Sequence, residues 1–201
     1  MHTKTHAPST LVLKRLLKRH PEIKTLLIQS IHEAVLINPD PRTNPITSLK
    51  AYYKFIDQYA GLLPNFSFDT AHTITRKNIS NGIALFYFVV DQPLKALEDR
   101  GFYRPVLQYY PRFAEWMAHF VESWGWFLST PQSWSDNIYK QLKTSGSFKL
   151  DTDWYAQTNI WTTWNDWFSR HLAHPERSHP IQSPDNPRVV ISPADSTPNA
   201  T

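Results

Sequence analysis

The segment 112–128 constrains the fold most strongly, because it is the longest amphipathic stretch of the 201-residue chain. Its apolar residues recur at spacings of three and four, which predicts a helix of about five turns with one apolar face. These residues are Phe113, Trp116, Met117, Phe120, Val121, Trp124, Phe127 and Leu128. We interpret this face as part of a hydrophobic core rather than as an aromatic binding site, since stripes at helical spacing are usually buried.

Other segments repeat the helical spacing, and prolines separate them. Pro21 suits the first turn of one helix, and Thr47 or Ser48 can cap another that Gly61 ends. Further helices are predicted over 94–101, 131–142 and 161–172. The chain is therefore predicted to consist of helices of modest length joined by proline-containing turns.

The segment 83–90, Ile-Ala-Leu-Phe-Tyr-Phe-Val-Val, fits two interpretations. Its aromatic and β-branched residues have the propensity of a buried strand, whereas its periodicity does not exclude a buried helix. No second strand of comparable quality lies nearby in the sequence to pair with it. We therefore predict a helix here.

The composition favours one domain that is not anchored in a membrane. A content of 41% hydrophobic and 14% aromatic residues can fill one sizeable core. No apolar run is long enough to predict a transmembrane helix, and the polar N-terminus does not resemble a secretory signal. The sequence contains no cysteine, which excludes disulfides and, without a signal, suggests the cytoplasm.

These patterns predict a mainly α fold. An irregular domain of about six or seven helices is expected over 11–173, after a disordered N-terminus at 1–10. The composition changes to Pro, Ser, His, Asn and Asp in 174–201, which indicates a linker. The run Val189-Val190-Ile191 then predicts a lone β-strand. A strand needs neighbours, so we expect it to be the truncated start of a further domain.

The net charge of +4 comes largely from a basic amphipathic stretch near the N-terminus. Leucines alternate there with five cations, Lys14, Arg15, Lys18, Arg19 and Lys24. One interpretation is a surface that attracts an anionic membrane or an acidic partner, and the other is a solvated helix face. Nucleic-acid binding is not predicted, because no recognised motif accompanies the charge.

Several titratable residues have a spacing that could carry chemistry. His171, His174 and His179 could approach a metal, but a proline interrupts them and no cysteine or carboxylate pair accompanies them. We therefore predict no metal site. Asp151 and Asp153 are predicted to cap a helix.

Asp166 and Arg170 are four residues apart on a predicted helix, which favours an ion pair within it.

Three blocks follow one another in the second half of the chain. They are W-G-W-F-L-S-T-P-Q-S at 124–133, W-N-D-W-F-S-R-H-L at 164–172 with H-P-I at 179–181, and V-V-I-S-P-A-D at 189–195. The second and third blocks resemble the phosphatidylserine decarboxylase family, whose members are pyruvoyl enzymes made as self-cleaving proenzymes. The first resembles the branch of that family that has an extra helical domain and includes fungal tryptophan decarboxylases.

The resemblance assigns expected roles to the matching residues. The first two blocks are expected to pack against each other or against a catalytic domain, through Trp124, Gly125, Phe127, Trp164, Asn165, Asp166, Phe168 and Arg170. Asp195 matches the family's processing Asp, which acts with a downstream His and Ser. Ser196 stands where the family has Gly, a residue suited to a tight turn, and this departs from the pattern.

The self-cleavage block of the family, L-G-S-T or G-G-S-S, does not occur in this sequence. The chain is therefore expected to hold no cofactor and to be inactive by itself, whereas the full-length family carries a pyruvoyl group. The leading hypothesis is the N-terminal accessory domain of a proenzyme that acts on phosphatidylserine or an aromatic amino acid, with the missing C-terminal catalytic domain as its partner. The alternative is a stand-alone interaction protein that binds anionic membrane surfaces through its basic N-terminal helix and is membrane-peripheral in the cytoplasm.

Overall fold

The computed structural model describes residues 6–63, 83–144, 148–156, 160–178 and 180–190. Over these ranges the protein is mainly helical and contains no β-strand, which confirms the mainly α part of the predicted fold class. The α-helices are α1 (Pro8–Arg19), α2 (Pro21–Ile37), α3 (Leu49–Tyr59), α4 (83–90), α5 (Lys95–Glu98), α6 (Pro111–Leu128), α7 (Asp136–Thr144), α8 (Trp164–Phe168) and α9 (Pro175–Ser178). Two 3₁₀ turns, Leu107–Tyr109 and Pro131–Ser133, precede α6 and α7.

Prolines begin the three long helices. Pro8, Pro21 and Pro111 each stand in the first turn, where the missing N–H has no partner to lose. Helix α1 thus begins inside the stretch 1–10 that the sequence assigns to a disordered N-terminus. In the described part of the chain, none of the helices combines the length and apolar character that crossing a bilayer requires.

The larger core, which we call the main core, lies between α1, α2, α3, α4 and α6. Helix α1 packs against α2, α3 and α6 together. The fully buried residues of the main core include Leu13, Ile23, Leu27, Ile46, Tyr52, Ile56, Val89, Leu97, Leu107 and Phe113. Two buried hydrogen bonds tie the helices to one another. The Trp116 indole N–H donates to the Ser9 carbonyl at 3.0 Å, and the Ser30 hydroxyl donates to the Val89 carbonyl at 2.6 Å.

The prediction of a helix at 83–90 is confirmed. Phe86, Val89 and Val90 are buried in the main core, and their spacing of three and four is that of one helix face. Ile83 and Tyr87, which are four residues apart, are exposed on another face. The burial pattern therefore follows helical periodicity, although the composition of the segment suits a strand.

The second hydrophobic cluster, which we call the aromatic cluster, lies between the end of α6, α7 and α8. Its buried members are Leu142, Leu150, Trp161, Trp164 and Trp167, with Trp134, Tyr139, Phe148 and Tyr155 packed around them. Ring centroids of Trp164 and Trp167 are 4.7 Å apart, and Trp134 stacks on Trp167 at 6.3 Å. Much of this cluster comes from turns rather than long helices.

Two predicted helices have wrong boundaries. The helix predicted over 131–142 begins at Asp136, because Pro131–Ser133 forms a 3₁₀ turn and Trp134 is extended. The helix predicted over 161–172 is reduced to Trp164–Phe168, because Thr163 is extended and caps it. The Ser135 hydroxyl accepts the Ile138 N–H at 3.3 Å at the start of α7, and the Thr163 hydroxyl accepts the Asp166 N–H at the start of α8. Periodicity alone does not indicate such hydrogen bonds.

The predicted C-terminal strand is not confirmed. Val189 and Val190 are described as irregular backbone, and Val190 is 95% exposed. A strand is stable only when another strand pairs with it, and no partner strand exists among the described residues. Ile191, the last residue of the predicted strand, lies outside the described ranges.

Candidate functional site

The end of α6 and the turn after it form the first half of the candidate site. The Trp124 indole N–H donates to the Leu62 carbonyl at 2.7 Å, which ties α6 to the end of the α3 segment. Gly125 has open space where a side chain would project, since an added Cβ would meet no atom within 4 Å beyond its own helix. Trp126, in contrast, is 73% exposed and Phe127 is half-buried.

Ser133 connects this turn to α8. Its hydroxyl is fully buried, 2.7 Å from the Thr130 carbonyl and 3.0 Å from the Leu128 carbonyl, to which it can donate. The same oxygen accepts the backbone N–H of Trp164 at 2.9 Å. The Ser133 side chain thus closes the turn after α6 and also accepts the Trp164 N–H, which belongs to the first turn of α8 and has no acceptor within that helix.

A capping box begins α8. The Thr163 hydroxyl accepts the N–H of Asp166 at 3.0 Å, and the Asp166 carboxylate accepts the N–H of Thr163 at 3.0 Å. The carboxylate also accepts from the Thr162 hydroxyl at 2.9 Å. The hydrogen bond from the Thr162 side chain, with those from the Thr162 and Thr163 backbones, lowers the pKa of Asp166 because it stabilises the ionised form.

Asn165 joins the two segments that match the first two blocks. Its side-chain amide donates to the Ser129 hydroxyl at 2.7 Å and to the Gly125 carbonyl at 3.4 Å. With the bond from Trp164 to Ser133, these contacts connect the segment 124–133 to the segment 164–170. The two segments therefore contact each other directly.

Arg170 is enclosed by aromatic rings. Its guanidinium lies 4.7 Å from the ring centroids of Trp167 and Tyr155 and 5.6 Å from that of Phe148. It also donates to the Trp167 carbonyl at 3.1 Å and to the Tyr155 hydroxyl at 3.2 Å.

The predicted ion pair between Asp166 and Arg170 is wrong. Helix α8 ends at Phe168, so the two residues are not on one continuous helix. The carboxylate caps the start of α8 while the guanidinium turns to the aromatic rings. Each group therefore has partners other than the one that the spacing of four suggests.

The predicted site residues divide into buried and exposed groups. Trp164 is 2% exposed and belongs to the aromatic cluster, whereas Phe168 is 64% exposed. Trp126 is not among the predicted site residues, which in this part of α6 are Trp124, Gly125 and Phe127. Its exposure beside Gly125 is the property that sequence alone does not reveal, since Trp is usually largely buried.

Those of the remaining candidate residues that the structure describes do not assemble into a site. His174 lies 3.5 Å from Glu176 and Arg177 lies 3.7 Å from Asp153, both at the surface. The depression next to them has a volume of about 140 Å³, less than a typical small-molecule pocket. Within the described ranges no three metal-ligating side chains come together.

Asp151 and Asp153 do not cap a helix, because the chain continues through turns as far as residue 156. That prediction is wrong.

The predicted histidines have no shared role in the described residues. The His171 carbonyl accepts a hydrogen bond from the Ala156 N–H at 3.0 Å. His179 and Asp195, with Ser196, lie outside the described residues, so the expected role of Asp195 stays a prediction.

Neither the protein-family models, nor the curated proteins, nor the solved structures compared with this chain include a match.

Proposed function

We propose that this chain is the helical accessory domain of a phosphatidylserine decarboxylase-like protein. The order of the three blocks along the sequence supports the proposal. The observation that carries the proposal is that hydrogen bonds join the matching residues of the first two blocks. The Asn165 side chain donates to the Ser129 hydroxyl, and the Trp164 backbone N–H donates to the Ser133 hydroxyl. If the two blocks serve one structural role in the family, their residues are expected to contact each other, and in this chain they do.

The proposed role is packing rather than chemistry. A pyruvoyl group would have to form from a Ser in a self-cleavage block, and the sequence has no such block, so these residues do not fit that group. Asp195 would take part in processing only with a His and a Ser within hydrogen-bond reach. The decarboxylation of phosphatidylserine or of an aromatic amino acid is thus proposed for the whole protein and not for these residues alone.

The surface that would meet the catalytic domain lies beside the Asn165 contact. Gly125 has open space above it, Trp126 follows it in α6, and Phe168 follows Asn165 by one helical turn. The two aromatic side chains are 73% and 64% exposed, which is unusual for residues of this size. In this proposal the catalytic domain covers them, and its sheet edge supplies the partner that Val189 and Val190 need to form a strand.

The test is the intact mass of the product in its native cells, captured with an antibody against this chain. The proposal expects a proenzyme larger than 23.4 kDa, or a fragment that co-purifies with a second fragment that a carbonyl reagent labels at its N-terminus. A single species of 23.4 kDa without a carbonyl-bearing partner would overturn it. The stand-alone interaction protein would then be the better interpretation.

A further inference from the structure

The outward face of α1 is basic and exposed among the residues that the structure describes. The helix buries Ser9, Thr10, Leu13 and Leu17 on one side. The opposite side presents four exposed residues at spacings of four, three and one: Leu11, Arg15, Lys18 and Arg19. The helix contains no Asp or Glu. In the described ranges, no acidic side chain forms an ion pair with Arg15, Lys18 or Arg19.

This face continues toward α3 through Lys14. The Lys14 ammonium lies 5.4 Å from the centroid of the Tyr53 ring and 3.1 Å from His6 Nε2. Tyr53 stands between Lys50 and Lys54 in α3, and both of these lysines are exposed.

Asp57 of α3 lies next to the start of α1. Its carboxylate is already occupied, since it accepts from His6 at 2.7 Å and from the Ala7 N–H at 2.9 Å. The cations of α1 and α3 therefore outnumber the carboxylates near them.

From this arrangement we infer that the outward face of α1 docks on the surface of an anionic lipid bilayer. The inference does not depend on the proposed decarboxylase relationship. A folded helix can lie flat against headgroups, where the long stems of Arg15, Lys18 and Arg19 let the charged ends reach phosphates. Leu11 lies among these cations and is 41% exposed. An apolar side chain can enter the acyl boundary below the lipid headgroups, whereas the backbone of a nucleic acid offers it no apolar contact. The arrangement thus favours lipid over nucleic acid.

The expected binding is electrostatic and sensitive to salt. Each Lys or Arg close to an anionic membrane strengthens binding about fivefold, and this attraction fades beyond about 10 Å at moderate ionic strength. The apolar face of α1 is buried in the main core, so only Leu11 is available to insert. Binding should therefore fall steeply as NaCl is raised, and should be absent on vesicles without anionic lipid.

The test is co-sedimentation of the full chain with vesicles of phosphatidylcholine containing about one third phosphatidylserine. Arg15→Gln/Lys18→Gln removes two charges three residues apart from α1, and should weaken binding about 25-fold. The matched control is Lys140→Gln/Lys143→Gln, which removes two exposed charges with the same spacing from α7. The control should bind as the unmodified chain does. Equal melting temperatures for the two variants establish that the difference is not one of folding.

Leu11→Gln separates lipid from nucleic acid. It should reduce binding to the vesicles severalfold while the charges stay in place. The inference is overturned if the chain does not bind anionic vesicles in about 0.05 M NaCl, or if the α7 control loses as much affinity as the α1 variant. It is also overturned if a DNA duplex binds more tightly than the vesicles at the same salt concentration and Leu11→Gln leaves vesicle binding unchanged.

Discussion

The main core and the aromatic cluster are stabilised in different ways. The main core is formed largely by the apolar faces of α1, α2, α3 and α6, which are 11 to 18 residues long. The aromatic cluster depends on α8, a helix of five residues. A helix this short is not stable without tertiary contacts. Its N-terminal end is held by Ser133, Thr163 and Asp166, and the cation of Arg170 lies against the ring of Trp167.

The two regions should therefore be sensitive to different kinds of substitution. A long helix distributes its stability over many apolar contacts, so loss of one polar group costs little. A five-residue helix buries two tryptophans and depends on a few polar groups to keep them in place. Substitutions of caps and of Arg170 should therefore affect the aromatic cluster more than equivalent substitutions affect the main core.

The largest effect is expected from Trp167→Ala. The side chain is 1% exposed, and its ring centroid lies 4.7 Å from that of Trp164 and 5.0 Å from that of Phe148. Truncation should lower the free energy of unfolding by about 3–5 kcal/mol, measured by urea denaturation. Phe168→Ala, at the neighbouring exposed position, should change it by less than about 0.5 kcal/mol. Similar losses in both variants would show that the buried and exposed sides of α8 are wrongly assigned.

The same variant also tests whether the two hydrophobic regions unfold together. Most helical residues belong to the main core, so far-UV circular dichroism reports mainly on that core. If Trp167→Ala shifts the tryptophan fluorescence transition and leaves the circular dichroism transition in place, the aromatic cluster unfolds separately. Coincident shifts would indicate one cooperative unit.

The next effect in size is expected from Arg170→Gln. Loss of a cation beside three rings should destabilise the aromatic cluster by about 1–2 kcal/mol in thermal unfolding. Arg177→Gln is the control, since Arg177 only approaches Asp153 at the surface, at 3.7 Å, and should be nearly neutral. Arg170→Lys keeps the charge but not the planar group that stacks on rings. Full stability in Arg170→Lys would mean that charge alone matters.

A comparison of N-caps should give a smaller difference. Ser48 caps α3 in the main core through one hydrogen bond of 3.2 Å, and Thr163 caps α8 through a reciprocal capping box. Each change to Ala should cost about 0.5–2 kcal/mol, with Thr163→Ala toward the upper end because α8 has few other contacts. Chemical denaturation of both variants measures this. A larger loss in Ser48→Ala would contradict the comparison.

Gly125→Ala should stabilise the isolated chain. The position is inside α6 with open space for a methyl group, so the variant should gain about 0.5–1 kcal/mol in chemical denaturation. Gly101→Ala should lose stability, because Gly101 has a φ of +79° that L-residues rarely adopt. If Gly125 serves the docking of a catalytic domain, the Ala variant should be more stable alone and weaker in that association. A destabilised Gly125→Ala chain would show that the space above this residue is not open.

The smallest effects are expected in acid. Burial would raise the pKa of Asp57, but the hydrogen bonds from His6 and the Ala7 N–H lower it, and hydrogen bonds from Thr162 lower the pKa of Asp166. A lowered folded-state pKa gives stability that is present above the unfolded value, near 4, and is lost as the pH falls. Melting temperatures measured from about pH 6 to pH 2 should therefore fall less steeply in Asp57→Asn and Asp166→Asn. If the melting temperatures of the variants fall in parallel with those of the unmodified chain, these two carboxylates are excluded as the source of the loss of stability in acid.

Local patterns predicted the helices well and the candidate site only in part. The spacing in α6 and the helical nature of 83–90 follow from each residue's position on one face, so they can be read without knowledge of the fold. The contact of Asn165 with Ser129 was anticipated only as a contact between segments. The exposure of Trp126 and the aromatic surroundings of Arg170 were not anticipated, because both depend on residues distant in the sequence.

The mainly α class and the starts of α2 and α6 can be read from the sequence, because apolar spacing and, for α2, proline at the first turn act within a few residues. Only the tertiary structure decided which partner each polar side chain takes. Asp166 caps α8 and Arg170 lies among rings, although their spacing suggests that they pair with each other. The physical reason is that a hydrogen bond or a cation–ring contact forms with whatever group the fold brings within a few ångströms.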